Sequence, residues 1–531
     1  MLNKRWFVVL IVMGLLVGCK QKAKPTDAPS GTPVETPGVI TTPSTGPVTT
    51  GDVDVVVVTA DRITTLDPYL MRDFSPEENV AAHIWDTLVG IDDDLGLEPR
   101  LAESWHLIND YVWEFELRQG VQFHNGEPWN AEAAQFSLTR AATLTDALET
   151  FATDVSLESI EVVDEYTIRI RTQEPAVNLP YELATVEMLP REYYQATAED
   201  ELSQQPIGSG PYRFVTWDSE GTVTLEAVPD YWRGSPLVQS IQFATALQAE
   251  QRVARLDSGD ATLIADVPPD WMDEVEESAV ARLVLVEGTQ RMLVGIHIQE
   301  NTPLADRRVR QALNYAVDVE AIVSELLGGY GQRYGSWVNP PNDNPDLTAW
   351  PYDPEKAREL LVQAGYSDGF STEMHLPVDR YQRGQEVAEA IADDLGQVGV
   401  QVEIKAVPWS EYVRELLNPD LTPPLFLLRI NSRANGLEDT ENLAYSFPFN
   451  PTRWFDTEFE DLLNEARQTY NATRQVELLK SAQTVAYDAA PWIWLWRPFL
   501  SYGVSQELDW WQPRADGLIY LYTVTPGTTT E

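Results

Sequence analysis

Five histidines, 83 acidic residues and a single cysteine are the side chains with which this chain could do chemistry. His83, His106, His124, His297 and His375 are far apart in sequence, so no helix or loop brings two of them to one metal, and only a site assembled by folding stays open. No HExxH helix, GxSxG elbow or GxxxxGK[ST] phosphate loop is present. Asp92-Asp93-Asp94 and Asn342-Asp343-Asn344-Pro345-Asp346 offer oxygen ligands suited to calcium, but neither has the spacing and glycine of an EF-hand, and both read as solvated turns. His124 lies in Phe123-His124-Asn125-Gly126, where Asn-Gly favours a tight turn with positive φ, so it reads as a turn or core histidine. Among so many carboxylates, no pair stands out as a glycosidase acid and base. These residues therefore carry no recognisable catalytic motif, and no cofactor is expected.

Cys19 is different. Lys4 and Arg5 precede the apolar run Trp6 to Val17, which as a helix reaches about 18 Å, short of the ~30 Å hydrocarbon core. Residues 1–18 read as a signal peptide. Leu16-Val17-Gly18-Cys19 resembles the bacterial lipobox, in which the cysteine is acylated and becomes the mature N-terminus. One cysteine excludes an intramolecular disulfide framework and an all-thiolate zinc site. Residues 19–52 then form a linker. Between Pro25 and Gly51, twenty of twenty-seven residues are Pro, Thr, Ser or Gly, a composition that buries too little apolar area to fold. In polyproline II form it reaches roughly 80 Å at about 3.1 Å per residue.

The formal net charge is −46, and no Lys/Arg-rich run follows residue 24, which excludes nucleic acid as a partner. The elements behind the linker mix strand and helix. Val53 to Val58 is a β-branched run suited to a buried strand. Alternation puts Tyr111, Trp113, Phe115 and Leu117 on one strand face, likewise Val223, Leu225 and Ala227, and Val400, Val402, Ile404 and Ala406. Trp492, Trp494 and Trp496 alternate too, and are expected to face one way into a buried surface. Asp353-Pro354 caps a helix carrying Ala357, Leu360, Leu361 and Ala364 on one face and stopped by Gly365. Val309, Ala312, Leu313, Ala316, Val317, Val323 and Leu327 make a longer apolar face ending at Gly328-Gly329. The fold class is α/β with several lobes.

A series of segments carries more. Leu97-Glu98-Pro99-Arg100-Leu101-Ala102-Glu103-Ser104-Trp105 leads through Trp113-Glu114-Phe115-Glu116-Leu117 and Gln119-Gly120-Val121-Gln122-Phe123-His124-Asn125-Gly126 to a helix near Ala131. Gly208-Ser209-Gly210-Pro211-Tyr212, Asp230-Tyr231-Trp232-Arg233-Gly234, Asp306-Arg307-Arg308-Val309-Arg310-Gln311-Ala312-Leu313, Tyr352-Asp353-Pro354-Glu355-Lys356-Ala357, Ala364-Gly365-Tyr366 and Ala490-Pro491-Trp492 follow. Together, over residues 53 to 525, they resemble the family 5 extracellular solute-binding proteins, the peptide, nickel and oligosaccharide receptors of ABC importers.

That resemblance implies a periplasmic-binding-protein-like α/β fold, with two lobes joined by a hinge and an additional inserted domain. Residues 53–88, 203–290 and 495–527 would form the first lobe, 89–202 the inserted domain and 291–494 the second lobe, with crossings near 290 and 495. Gly208 to Pro211 would let chain segments meet closely where lobes join. The implied partners are a small ligand, an ABC permease with its ATPase, and the membrane through Cys19; the protein is expected as a monomer in the cell envelope. In peptide-binding members the segment after the first strand lines the cleft, here with Arg72 and Asp73; a Trp matching Trp409 and an Arg matching Arg429 line it too. Where those members carry Trp and then an Asp for the ligand ammonium, this chain has Ser432 and Asn435, with Glu438 or Asp439 as substitutes after a shift. The departure at Ser432 and Asn435 counts against a free peptide, so the expected ligand is an oligopeptide or, as rival, an oligosaccharide stacked on Trp409 and other tryptophans. An envelope-tethered hydrolase and a ligand sensor are the alternatives on the same scaffold. Lasting attachment needs more than one acyl chain, at about 0.8 kcal/mol per buried CH₂. Cys19→Ser is therefore expected to release the processed protein from membranes, as read by sedimentation of membrane fractions.

Overall fold

A computed structural model describes residues 53–70, 76–148, 157–378, 380–432, 435–445 and 450–522; the signal segment, Cys19 and the linker lie outside them. The valine run of Val53–Thr59 forms the middle of the largest sheet, parallel to Val238–Thr245 on one side and to Leu263–Ala265 on the other. Antiparallel strands complete it, Trp496–Ser505 and Ala281–Glu287 toward one edge, Val223–Ala227 and Tyr212–Trp217 toward the other. Successive side chains of a strand face opposite ways. Val55 and Val57 accordingly enter one core while Val58 enters another, with Val253, Leu256, Met272 and Val275 of helices Ala249–Ser258 and Pro269–Glu276. A strand covered on both faces has no use for polar alternation, which is why the run is continuous.

The second sheet has the order Val400–Val407, Phe370–Pro377, Leu425–Ile430, Arg291–Ile296, Trp492–Trp494. Val294, Ile296, Leu425 and Leu427 pack on one side with helices Arg307–Ala316, Pro354–Gln363 and Gly384–Gln397. Leu293, Phe426 and Leu428 pack on the other with Thr457–Arg467 and Ala472–Ala489. Gly295 stands opposite Phe426, and a Cβ there would lie 2.0 Å from the ring, so only glycine fits beside it.

A third, antiparallel sheet of Ala102–Asn109, Val112–Leu117, Thr167–Thr172 and Leu157–Asp164 carries helix Ala131–Leu148. Its Phe115, Leu117, Ile168 and Ile170 share one continuous core with Val55 and Val57 of the first sheet. The turn of its first hairpin reaches the second sheet's helical layer. There Tyr470 donates to the Asp110 carbonyl at 2.7 Å, its ring stands 6.3 Å from that of Trp113, and Val177 packs on the same core.

Several local expectations hold. Asp353 accepts from the Lys356 N–H as a helix cap, Gly365 has φ +94°, and Gly126 has φ +87° in the turn beside His124. His124 is a structural histidine: its Nε2 bonds the Gly210 carbonyl, and burial lowers its pKa to about 4. Asp92 caps its own turn through the Asp94 and Gly96 N–H groups, and Asn344 is buried against Gln483 and Thr484, so both oxygen-rich segments serve the fold.

Three expectations need correction. The apolar face from Val309 to Leu327 is buried throughout, but the helix breaks at Val317, because the Asp318 side chain caps a new turn at Ala321 while its own N–H bonds Asp394. Trp492 and Trp494 face one core and Trp496 the other, since the strand ends at Leu495, where the chain passes between sheets and the alternation restarts. Tyr111 belongs to the hairpin turn rather than to the strand face of Phe115.

The glycines at 208 and 210 meet the end of helix Pro76–Ile84 rather than a junction of the two large sheets. Gly210 N–H donates to the Ile84 carbonyl, and Gly208 accepts from the His124 N–H. Ser209, Tyr231 and Trp232 all donate to the buried Asp86 carboxylate, at 3.1, 2.7 and 2.9 Å, so two of the sequence motifs converge on one acid. A Cβ on Gly208 would sit 2.0 Å from the Ile84 carbonyl oxygen, which is backbone and cannot step aside. Gly208→Ala is expected to cost about 2–3 kcal/mol, measured by denaturant unfolding.

Candidate functional site

An open sheet with parallel strands forms a crevice beyond their carboxyl ends, where connections depart in opposite directions from a central strand. Val53–Thr59 is such a strand, and two acids lie past the ends. Asp61 follows it by two residues, its carbonyl accepting from Thr59 Oγ1 at 3.1 Å and Thr245 Oγ1 at 3.2 Å. Asp266 follows Leu263–Ala265 directly, in the left-handed region at φ +55°. Arg252 holds this turn from helix Ala249–Ser258: its buried guanidinium donates to the carbonyls of Ala246, Leu247, Ala265 and Asp266 at 2.7 to 3.3 Å. The Asp266 side chain is open to water, yet the protein around it desolvates it and pushes its pKa up. That combination describes a group on the wall of a cleft.

A charge that acts on Asp266 belongs to the second sheet. Arg429 pairs with Met292, close to the point where the chain enters that sheet. Its backbone N–H donates to Tyr381 Oη at 3.3 Å, and its guanidinium lies 6.0 Å from that ring. Desolvation lowers its pKa, and Tyr381, Asp266 and Asp61 act in the opposite direction, so the field of the first sheet's acids reaches it. Arg380 stacks over Trp409 at 4.7 Å, and Trp409 in turn lies 6.0 Å from Tyr412. Arg429 and Trp409 are thus gathered with Arg380 and Tyr381. Arg72 and Asp73 lie outside the described residues.

The loop after Arg429 leads into helix Gly436–Glu441. Asn435 is its cap, Oδ1 accepting from the N–H groups of Leu437 at 3.0 Å and Glu438 at 3.4 Å. Glu438 stands half-buried in the first turn. Asp439 is 1% exposed, and its carboxylate accepts from Asn339 N at 2.9 Å and Nδ2 at 3.2 Å; burial pushes its pKa up. These bonds belong to a larger knot where the chain crosses between sheets. Asn339 also donates to Ser432 Oγ at 2.7 Å and the Thr289 carbonyl at 3.2 Å, Thr289 Oγ1 donates to the Ser432 carbonyl, and Arg291 donates to the Thr289 and Gln290 carbonyls and to Asn339 Oδ1. Beside it, Arg497 pairs with Glu287 at 2.8 Å across the two crossing strands. Desolvation and Arg497 lower the Arg291 pKa to about 9.

Sequence reasoning missed Asp61, Asp266, Arg380, Tyr381 and the knot. The position of Asp61, two residues past the valine run, was a usable signal, since acids at strand ends of an open sheet face the crevice. Among the described residues no group of three or more His, Cys, Asp or Glu side chains converges as a metal site. The arrangement suits binding of a charged solute between two walls.

Residues 96–447 match the bacterial extracellular solute-binding proteins, family 5. The chain belongs to this family. It is similar to the glutathione-binding protein GsiB of Pectobacterium atrosepticum, 29% identical over 458 residues that cover 83% of this chain and 88% of that one. Its fold matches HbpA2 from Haemophilus parasuis with a TM-score of 0.76 at 24% identity, over 85% of this chain and 96% of the other. DppA from Helicobacter pylori, an ABC transporter-associated periplasmic binding protein solved with the peptide STSA, matches with 0.72 at 22% identity, over 88% and 98%. This family 5 protein is therefore an extracytoplasmic solute-binding protein of an ABC importer with the two-lobed periplasmic-binding fold, and a binding protein rather than an enzyme. Its knot makes one prediction. Asn339→Ala would leave Asp439 and Arg291 buried with fewer partners, and is expected to cost about 3 kcal/mol in denaturant unfolding.

Proposed function

We propose that the protein captures a peptide-like ligand between its two lobes, closes on it by a hinge at residues 288–290 and Leu495, and presents it to an ABC permease. What supports this reading is the place of Arg429 beside the crossing, next to Tyr381, together with the influence on its charge of Asp61 and Asp266, which lie past the strand ends of the first sheet. A desolvated arginine meets a carboxylate through paired, charge-assisted hydrogen bonds, which a peptide terminus supplies and a neutral sugar does not. The similarity to a glutathione-binding protein supports the same class. Arg380 already occupies a face of Trp409, which leaves less stacking surface for an oligosaccharide.

In this reading residues 53–88, 203–290 and 495–527 make the first lobe, 89–202 the inserted domain and 291–494 the second lobe; the division of strands among the three larger sheets supports it. The lipobox-like sequence before Cys19 supports a lipid tether, with the 19–52 linker setting the body's reach from the membrane and the mature protein acting as a monomer.

A ligand that binds the folded, closed form adds RT ln(1 + [L]/Kd), about 2.7 kcal/mol at a hundredfold excess over Kd. Peptides are expected to raise the melting temperature and shrink the radius of gyration in small-angle scattering, while neutral oligosaccharides do neither. Arg429→Ala should weaken peptide binding at least tenfold by calorimetry, for a lost charge-assisted bond of about 1.5–3 kcal/mol. Thermal shifts with oligosaccharides alone would reverse the ligand class.

A further inference from the structure

The second sheet has a far end as well as the end that carries Arg429. Leu425–Ile430 runs from Pro424 toward the crossing, and the His297 N–H donates to the Pro424 carbonyl, so the segment after Ile296 lies at the far end of these strands. From Leu425 to Arg429 is about 14 Å of strand. At the far end a cavity of about 600 Å³ opens between the starts of helices Arg307–Ala316 and Thr457–Arg467 and the last turn of Ala472–Ala489. Small-molecule sites have volumes of this order.

Three arginines line it. Arg310 is 5% exposed; its Nε and Nη1 donate to the carbonyls of Ala489, Leu304 and Ala305 at 2.9 to 3.0 Å, and its Nη2 has no hydrogen-bond partner among the described residues. Arg453 is set in the left-handed region at φ +57° by a buried network around it. Asn450 Nδ2 donates to the Leu443 and Ala444 carbonyls, Thr452 Oγ1 donates to Asn450 Oδ1, and His297 Nδ1 bonds the Pro451 carbonyl. The Arg453 Nε held out by this network is itself buried and unbonded. Arg307 opens its helix, and the acid next to it, Asp306, pairs with Arg308 instead. Neither Arg307 nor Arg453 has an ion-pair partner among the described residues. Buried donors are nearly always bonded, so unbonded guanidinium nitrogens on two arginines around one space mark an absent acceptor.

The other walls select which acceptor. Ile298, Val485 and Trp454 are apolar, and Phe455 is 59% exposed with its ring 5.5 Å from that of Tyr445. Such an open aromatic face suits a flat ring. Carboxylates are present too. Asp456 caps its helix by accepting from the Glu458 and Phe459 N–H groups, while Glu300, Glu458 and Asp488 are exposed. Water and salt screen these exposed acids more than the buried arginines, so the cavity attracts one negative charge but opposes a compact anion that carries two.

We propose that this cavity is a second solute site, separate from the cleft between the lobes, and that it takes a small monocarboxylate with an aromatic body, the carboxylate on Arg453, Arg307 and Arg310 and the ring on Phe455. The site stands independently of the peptide reading of the cleft.

Benzoate is the probe, with benzamide as its uncharged counterpart and inorganic phosphate as the compact anion. Ligand-observed NMR titration of the mature chain is expected to show benzoate bound about tenfold more tightly than either. Arg453→Gln should lower benzoate affinity about tenfold and Phe455→Ala about threefold, while Arg429→Gln, in the cleft, leaves it within about twofold. Phe455 is exposed and Arg453 has no ion-pair partner, so both variants should melt no lower than the parent, which separates a binding effect from a folding one. Benzoate that does not bind, that binds no better than benzamide, or that is lost in Arg429→Gln but not in Arg453→Gln overturns the site. Phosphate bound more tightly than benzoate overturns the ligand class.

Discussion

The backbone passes between the first and second sheets at residues 288–290 and again at Leu495, and the whole molecule is arranged around the shortness of those passages. Three residues cannot hold two lobes in register by themselves. The polar knot does so, by tying the carbonyls of Thr289 and Gln290 to Arg291 and Asn339, and Asn339 to Ser432 and Asp439. Its members are buried, so each hydrogen bond removed strands a charge or an amide out of water. Its anchor in the second lobe is the segment from Ser432 to Asp439, the same segment that continues from Arg429. A change at the proposed ligand wall would therefore act on the crossing through a few bonds rather than through a long chain of packing.

The cleft follows from the same layout. Parallel strands end together, so Asp61 and Asp266 arrive side by side at one rim, and the antiparallel pairing of Arg291–Ile296 with Leu425–Ile430 brings Arg429 back to the crossing. Arg252 then fixes the Asp266 turn by taking four carbonyls at once, and its charge offsets part of the desolvation of the acid beside it. The walls oppose each other in sign, while the chain as a whole is strongly acidic.

Much of the fold was legible because periodicity and caps are local. The valine run, the Asp353-Pro354 start and the Asn125-Gly126 turn each contain their own cause. The failures sit where a local pattern meets a distant partner. Nothing near Val317 announces that Asp318 will cap a fresh turn and bond Asp394, and the alternation of three tryptophans is broken by the passage at Leu495, which only the second sheet explains. At the site, Trp409 and Arg429 could be reached by resemblance. Arg380 and Tyr381 could not, because they come from a loop with no periodicity, and Asp266 depends on a pairing of strands over two hundred residues apart.

The Tyr470 bond to Asp110 gives the cleft a second edge. Near the crossings Gly331–Arg333 pairs with Trp496–Pro498 and Tyr330 packs on the first sheet's helices, whereas the hairpin meets the second sheet's helical layer through one hydroxyl, one aromatic pair and Val177. Such a contact is worth only about 1–2 kcal/mol, so thermal motion breaks it readily while the crossings persist. In the proposed capture, release of a solute would require this clasp and the solute's own bonds to be broken together, so the hairpin at Asp110 is a handle on residence time remote from the ligand wall.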